Sequence, residues 1–155
     1  MVNRPKQIGT AAETAVVRAA RRLGFPNADR LTLTGNHDRG DVGLCPGVVL
    51  EVKGGEAARS HSDRDVERWL AETETERRNA GAAVTFLVVQ RRGVGAPNAQ
   101  RWHAYWRHGW IADLRGYPDD LRDAITDHAI VRMSLESSLA QLRAVGYGNP
   151  LQEKP

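Results

Sequence analysis

Three side chains capable of hydrolytic chemistry lie within the stretch GDVGLCPGVVLEVK, residues 40–53: Asp41, Glu51 and Lys53. Glu51 and Lys53 are two residues apart, so on a strand they project from the same face. Cys45-Pro46-Gly47 fits a three-residue hairpin loop with Gly47 in the left-handed position, and that register sets Asp41 opposite Glu51. Two carboxylates held about 5 Å apart across strands raise each other's proton affinity unless a cation lies between them. Mg2+ suits the position, with Mn2+ as a substitute, because it takes one or two carboxylates and fills its remaining sites with water and phosphate oxygens. Such a cation with a lysine beside it fits phosphodiester hydrolysis: the metal polarises the phosphate and acidifies a bound water, and the ammonium orients the nucleophile or steadies developing charge. The alternative is a solvated strand carrying a surface Glu-x-Lys pair worth ~0–1 kcal/mol.

The choice of lysine favours the chemistry. Of 22 basic residues 19 are arginines, and the other two lysines, Lys6 and Lys154, lie near the ends of the chain. A compact ammonium is not interchangeable with a planar guanidinium.

The surrounding sequence supplies elements to hold these groups. Thr10 reads as the N-cap of a helix with Glu13 completing a capping box, apolar residues at Ala12, Val16, Ala19, Ala20 and Leu23, and Gly24 as its stop. RLTLTG reads as a short strand, GNHDRG as a polar loop, and 41–44 with 48–53 as the hairpin. GGEAARSHSD reads as a flexible connection, and a helix follows through Val66, Trp69, Leu70 and Thr73 to a Gly81 cap. AVTFLVVQ is apolar enough for a strand buried on both faces. RRGVGAPNAQ is a loop, RWHAYW an edge strand and WIADL a further short strand, with one or two short helices and a frayed tail after 118. The order α-β-β-β-α-β-β-α predicts an α/β sandwich around a central mixed sheet flanked by helices.

At 155 residues, 41% hydrophobic and 26% charged, the chain suits one ordered domain. Its single cysteine, Cys45, suits a reducing compartment, and the sequence contains neither a signal-peptide pattern nor an apolar run of membrane length. The expectation is a cytoplasmic protein with no membrane partner. A net charge of +3 and a pI near 9.4 are compatible with a polyanionic partner.

GDVGLCPGVVLEVK resembles the GD…EVK core of the PD-(D/E)XK nuclease superfamily, with Gly-Asp in place of Pro-Asp. KQIGTAAETAVVRAARRLGF resembles the first helix of the archaeal-type Holliday junction resolvases and their phage relatives. RWLAETETERRNAGAAVTFLVVQRRG is similar to actinobacteriophage resolvases of this type. The likeness covers roughly residues 6–115. It implies a restriction-endonuclease-like fold, with a nuclease core over 1–117 and a helical extension over 118–155 of the same domain. It also implies a homodimeric, Mg2+-dependent endonuclease that cuts DNA four-way junctions, in the host cytoplasm if phage-encoded. Carried over, Asp41, Glu51 and the Val52 carbonyl become metal ligands, Lys53 the catalytic lysine, and Glu13 an added acid at the metal site. For Glu13 the capping box stands as the competing role. A nuclease of the same fold acting on duplex ends, flaps or restriction targets remains an alternative, as does a DNA-binding member without catalysis. The intact Asp41, Glu51 and Lys53 argue against the latter.

Further candidates flank this set. Asp38 and Gln90 could stand behind the ligands, although loop solvation and strand-end capping serve them as well. His37 and His61 read as solvent-facing loop histidines or proton shuttles. Arg39, Arg91 and Arg92 flank the predicted site in sequence order and are the expected phosphate contacts, giving affinity without sequence readout. Trp69 reads as core. Trp102, Tyr105, Trp106 and Trp110 fit either the core or base stacking.

Overall fold

A computed structural model describes residues 4–32 and 38–152. Helix α1 (Arg4–Arg22) precedes β1 (Asp29–Arg30), β2 (Val42–Cys45) and β3 (Val48–Lys53), after which come α2 (Gly55–Arg59), α3 (Asp63–Ala80) and β4 (Val84–Val89). A 3-10 segment (Ala96–Arg101), β5 (His103–Arg107), α4 (His108–Arg115), a second 3-10 segment (Asp119–Leu121), α5 (Ala124–Asp127), β6 (Ile130–Ser134) and α6 (Leu135–Ala144) complete the order. The six strands form one sheet in sequence order, β1 to β6, and every pairing is antiparallel except β3 with β4. The α/β class and the mixed central sheet flanked by helices are therefore as the sequence predicts.

The core divides at the sheet. Alternate residues of β3 and β4, Val48, Leu50 and Val52 with Val84, Phe86 and Val88, join α1, Trp102, Trp106 and α6 in one apolar cluster. The intervening positions Leu87 and Val89 join Val66, Trp69, Leu70 and Tyr105 in a second cluster under α3. All six residues of β4 are buried, as its continuous apolar run requires.

Several local expectations are corrected. Helix α1 starts at Arg4 and runs through Thr10, so Thr10 is no N-cap and Glu13 no capping-box partner. Pro5 falls in the first helical turn, where a missing N–H costs no intrahelical bond, and the helix continues through Gly9. The RLTLTG strand is the two-residue β1, beginning one residue earlier, and residues 33–37, which include His37, lie outside the described residues. The connection after β3 contains helix α2, and WIADL lies within helix α4, not a strand. Strand β5 is internal rather than an edge, because β6 pairs beyond it. The C-terminal segment is thus not only helical: it supplies the sixth strand, and Leu135, Leu139 and Leu142 of α6 are buried in the main core.

The β2–β3 turn is the most instructive correction. Its loop is two residues, Pro46-Gly47, with Gly47 at φ 85°, where an L side chain would be strained. Such a loop alone would shift the register by one. A bulge between Gly43 and Cys45 absorbs the offset, so Val42 still faces Leu50. Asp41 N–H donates to Leu50 C=O at 2.9 Å, which ties Asp41 to β3 just beyond the last paired residues, Val42 and Leu50. At the other end of β3, a Cβ on Gly54 would stand 2.4 Å from Ala12 Cβ, so only glycine lets α1 lie this close to the strand end.

Candidate active site

Strand β3 runs toward Lys53 and β2 runs away from Asp41, so their antiparallel pairing gathers Asp41, Glu51 and Lys53 at one end of the sheet. Val52 N–H donates to Asp41 Oδ2 at 2.8 Å, which fixes the aspartate across the strand. Backbone N–H and C=O of one strand residue point to the same side. The Val52 carbonyl therefore faces the Asp41 side, beyond the first paired residue of β2. Glu51 is only 5% exposed. Lys53 Nζ lies 2.8 Å from Glu51 Oε1 and 3.3 Å from Glu72 Oε2, and it sits 5.9 Å from the Trp69 ring centroid.

These groups perturb one another strongly. Burial, then the Glu51 charge, push Asp41 up to about 8 against the hydrogen bond from Val52 that favours its anion. Burial, then a hydrogen bond with Glu76, push Glu51 up to about 8, with Lys53 opposing. For Lys53, burial favours the neutral amine, but Glu51 and Glu72 outweigh it and the net displacement is upward. Lys53 is therefore a fixed ammonium at neutral pH.

The residues fit a hard divalent cation. Two oxygen-donor side chains converge, and among the described residues the buried Glu51 Oε2 has no basic, amide or hydroxyl donor as partner. Among the described residues no trio of His, Cys, Asp or Glu forms a ready-made ligand cluster, so the fit is that of a cation keeping water and phosphate ligands, as Mg2+ does.

The other candidates distribute around this center. Glu13 accepts from Arg30 Nε at 2.8 Å, and its charge reaches Asp41. It lines a groove of about 580 Å³ with Lys6, Thr10, Arg30, Arg39 and Asp41. Asp38 Oδ1 accepts from Gly40 N–H, and its carbonyl accepts from Asn79 Nδ2 of α3, so its observed contacts shape the loop before Asp41. Gln90 Oε1 accepts from Gly55 N–H at 2.9 Å and its N–H donates to Lys53 C=O, a strand-end clasp. Arg91 and Arg92 leave β4 at the same sheet end, where Arg92 pairs with Glu56 at 2.8 Å.

His61 is not a solvent-facing loop histidine. Its Nε2 lies 2.7 Å from Tyr105 Oη, and its Nδ1 meets the Ala58 carbonyl. Trp102 and Trp106 are buried, with their indole N–H groups donated to Val94 C=O and Ser138 Oγ. They offer no surface to bases.

Sequence reasoning missed Glu72 and Glu76. Both lie on the α3 face that covers β3, and Glu76 is buried. The signal was present: Glu76 continues the stripe Val66, Trp69/Leu70, Thr73 at helical spacing, where an apolar residue belongs. Comparison with protein-family models, curated proteins and solved structures finds no match to this chain.

Proposed function

We propose that this chain is a divalent-cation-dependent DNA endonuclease of the restriction-endonuclease-like type, cutting branched four-way junctions as a homodimer in phage or prophage recombination. One observation carries it: a buried glutamate, an aspartate pinned by a backbone amide and a permanently charged lysine share one end of a mixed sheet. Clustered buried carboxylates are costly and serve no purpose in a protein that only binds polyanions. Asp41, Glu51 and the Val52 carbonyl would hold Mg2+ or Mn2+, which supplies Lewis-acid polarisation of the phosphate and a more acidic bound water. Lys53 keeps its proton between Glu51 and Glu72, so it acts as a positive charge beside the phosphate and not as a base. Arg39 and the Lys6–Arg30 side of the groove give the phosphate backbone a cationic approach to Asp41. The cytoplasmic assignment goes with this reading. Among the described residues no helix is long and apolar enough to cross a membrane.

The test is cleavage of a labelled four-way junction in magnesium, beside matched duplex, flap and single strand, with Glu51→Gln and Lys53→Ala controls. Paired nicks confined to the junction and lost in both variants are expected. Equal cutting of every substrate would leave a nuclease of another specificity. No cutting by folded, DNA-binding protein in magnesium or manganese would leave a binding module.

A further inference from the structure

The mechanism above gives no role to Glu76. It lies near the C-terminal end of α3, 7% exposed, at a position where the helix turns its apolar stripe to the sheet. Among the described residues no basic side chain forms an ion pair with it, and the Lys53 charge acts on it only from its place beside Glu51. Arg77 and Arg78 both pair with Glu74 instead, and Lys53 is held by Glu51 and Glu72. Its carboxyl group faces that of Glu51 within hydrogen-bonding reach. Each glutamate has one buried oxygen, Glu51 Oε2 and Glu76 Oε2, with no partner among the described residues. Helix packing alone would favour leucine or methionine here, since a buried carboxylate without a counter-charge is expensive. One helical turn further, Asn79 anchors the Asp38 carbonyl, so α3 and the loop carrying Asp41 are clasped around the same spot.

We propose that Glu76 is a direct ligand of the divalent cation, the third carboxylate of the site and the one contributed by the helix rather than by the sheet. This rests on the cation site proposed above. The two orphaned oxygens acquire their partner when the cation binds, and the carboxylates of Asp41, Glu51 and Glu76, which form no ready-made trio, are drawn together around it. The site would then clamp α3 onto the end of β3, so that cation binding also fixes Lys53 through Glu72 on the same helix.

Terbium(III), a hard oxygen-seeking cation, tests this without requiring cleavage. Trp69 lies close enough to Lys53 to sensitise a metal beside Glu51. Titration of the full chain should give tryptophan-sensitised emission that magnesium competes away. Emission lifetimes in H2O and D2O count the metal-bound waters. For Glu76→Gln the expected result is an affinity at least about tenfold weaker, with the water count raised by one or two. Circular dichroism and melting in EDTA verify that the variant is folded. Wild-type affinity and water count in folded Glu76→Gln, with binding lost in Asp41→Asn and Glu51→Gln, would overturn the role of Glu76 and leave the site standing. Weaker binding with an unchanged water count would also overturn it, putting Glu76 outside the coordination sphere. Binding indifferent to Asp41→Asn and Glu51→Gln would sink the cation site itself.

Discussion

The two faces of β3 each bury their central residue and are chemically opposite. Toward α1 the strand presents Val48, Leu50 and Val52; toward α3 it presents Val49, Glu51 and Lys53. Leu50 is 0% exposed and Glu51 5%, so at the centre of the strand the difference is not one of access to water. The apolar face contributes roughly 1.5–3 kcal/mol for each large side chain it buries. The polar face carries an unsatisfied carboxylate oxygen and a desolvated ammonium, which burial alone disfavours. Strand alternation thus lets one six-residue segment anchor the core on one side and hold costly charges in place on the other.

The sharpest way to break this contrast is to remove function from one face and stability from the other. Lys53→Ala should reduce junction cleavage by about 10²-fold or more, the scale for losing a group aimed at developing charge. Lys53→Arg should rescue little of it, because a guanidinium fork cannot fill the space between Glu51 and Glu72 as a point charge. Both variants should melt within a few degrees of wild type. Leu50→Ala should do the reverse, costing about 2–5 kcal/mol of stability in denaturant titrations, with cation affinity retained wherever the protein is folded. If Lys53→Ala cleaved normally, the polar face would be structural, and the contrast would lose its meaning.

The contrast was partly visible in the sequence. Glu51 and Lys53 stood out because charges at period two interrupt an apolar run, and the Val42–Leu50 register follows from the hairpin even though its loop length did not. The bulge that restores the register has no signature beyond the hairpin's own Cys-Pro-Gly. Glu76 was hidden because a single glutamate among the charges of ETETERR reads as helix surface until the partner strand is known. Strand β6 was missed because its half-buried pattern is weak and its pairing with β5 is made far along the chain. WIADL, which opens on the strand-favouring pair Trp110-Ile111, became helix α4 because tertiary packing buries Gly109 and Ala112 three apart rather than alternate residues. Local pattern names an element, whereas faces and partners require the fold.

The polar face should also show in the pH dependence of stability. Asp41 and Glu51 are raised to about 8, and Glu76 to about 6, by burial and by one another, except that its bond to Glu51 favours the Glu76 anion. The folded chain therefore holds protons that the unfolded chain releases near pH 4. Their stabilising contribution is complete below that pH and is lost as pH rises through about 8. In EDTA, calorimetric melting temperatures should fall from pH 5 to 8, the unfolding free energy dropping by up to about 1.4 kcal/mol per pH unit for each such group. Manganese at pH 8 should restore them, and Glu51→Gln should flatten the curve. A melting temperature in EDTA that rose over this range would show that these carboxylates are ionised and compensated without a cation.

The smallest expected effects lie at the rim, where exposure replaces burial. Arg39 lines the groove that opens on Asp41, while Arg92, at the end of β4, is tied to Glu56 with both side chains about two-thirds exposed. Breaking that exposed pair should leave stability nearly unchanged, because solvent screens it. For DNA the two arginines should differ. Arg39→Ala should weaken junction binding at low salt and reduce the slope of log K against log salt by about one, the signature of one lost phosphate contact. Arg92→Ala should change the slope by less, since its charge is already partly compensated by Glu56. Binding isotherms of both variants in catalytically inactive Glu51→Gln protein, over a series of salt concentrations, separate them without cleavage. Equal slopes for the two would mean that the DNA path follows the β3 and β4 ends together, and that the groove beside α1 is not a privileged approach to the buried acids.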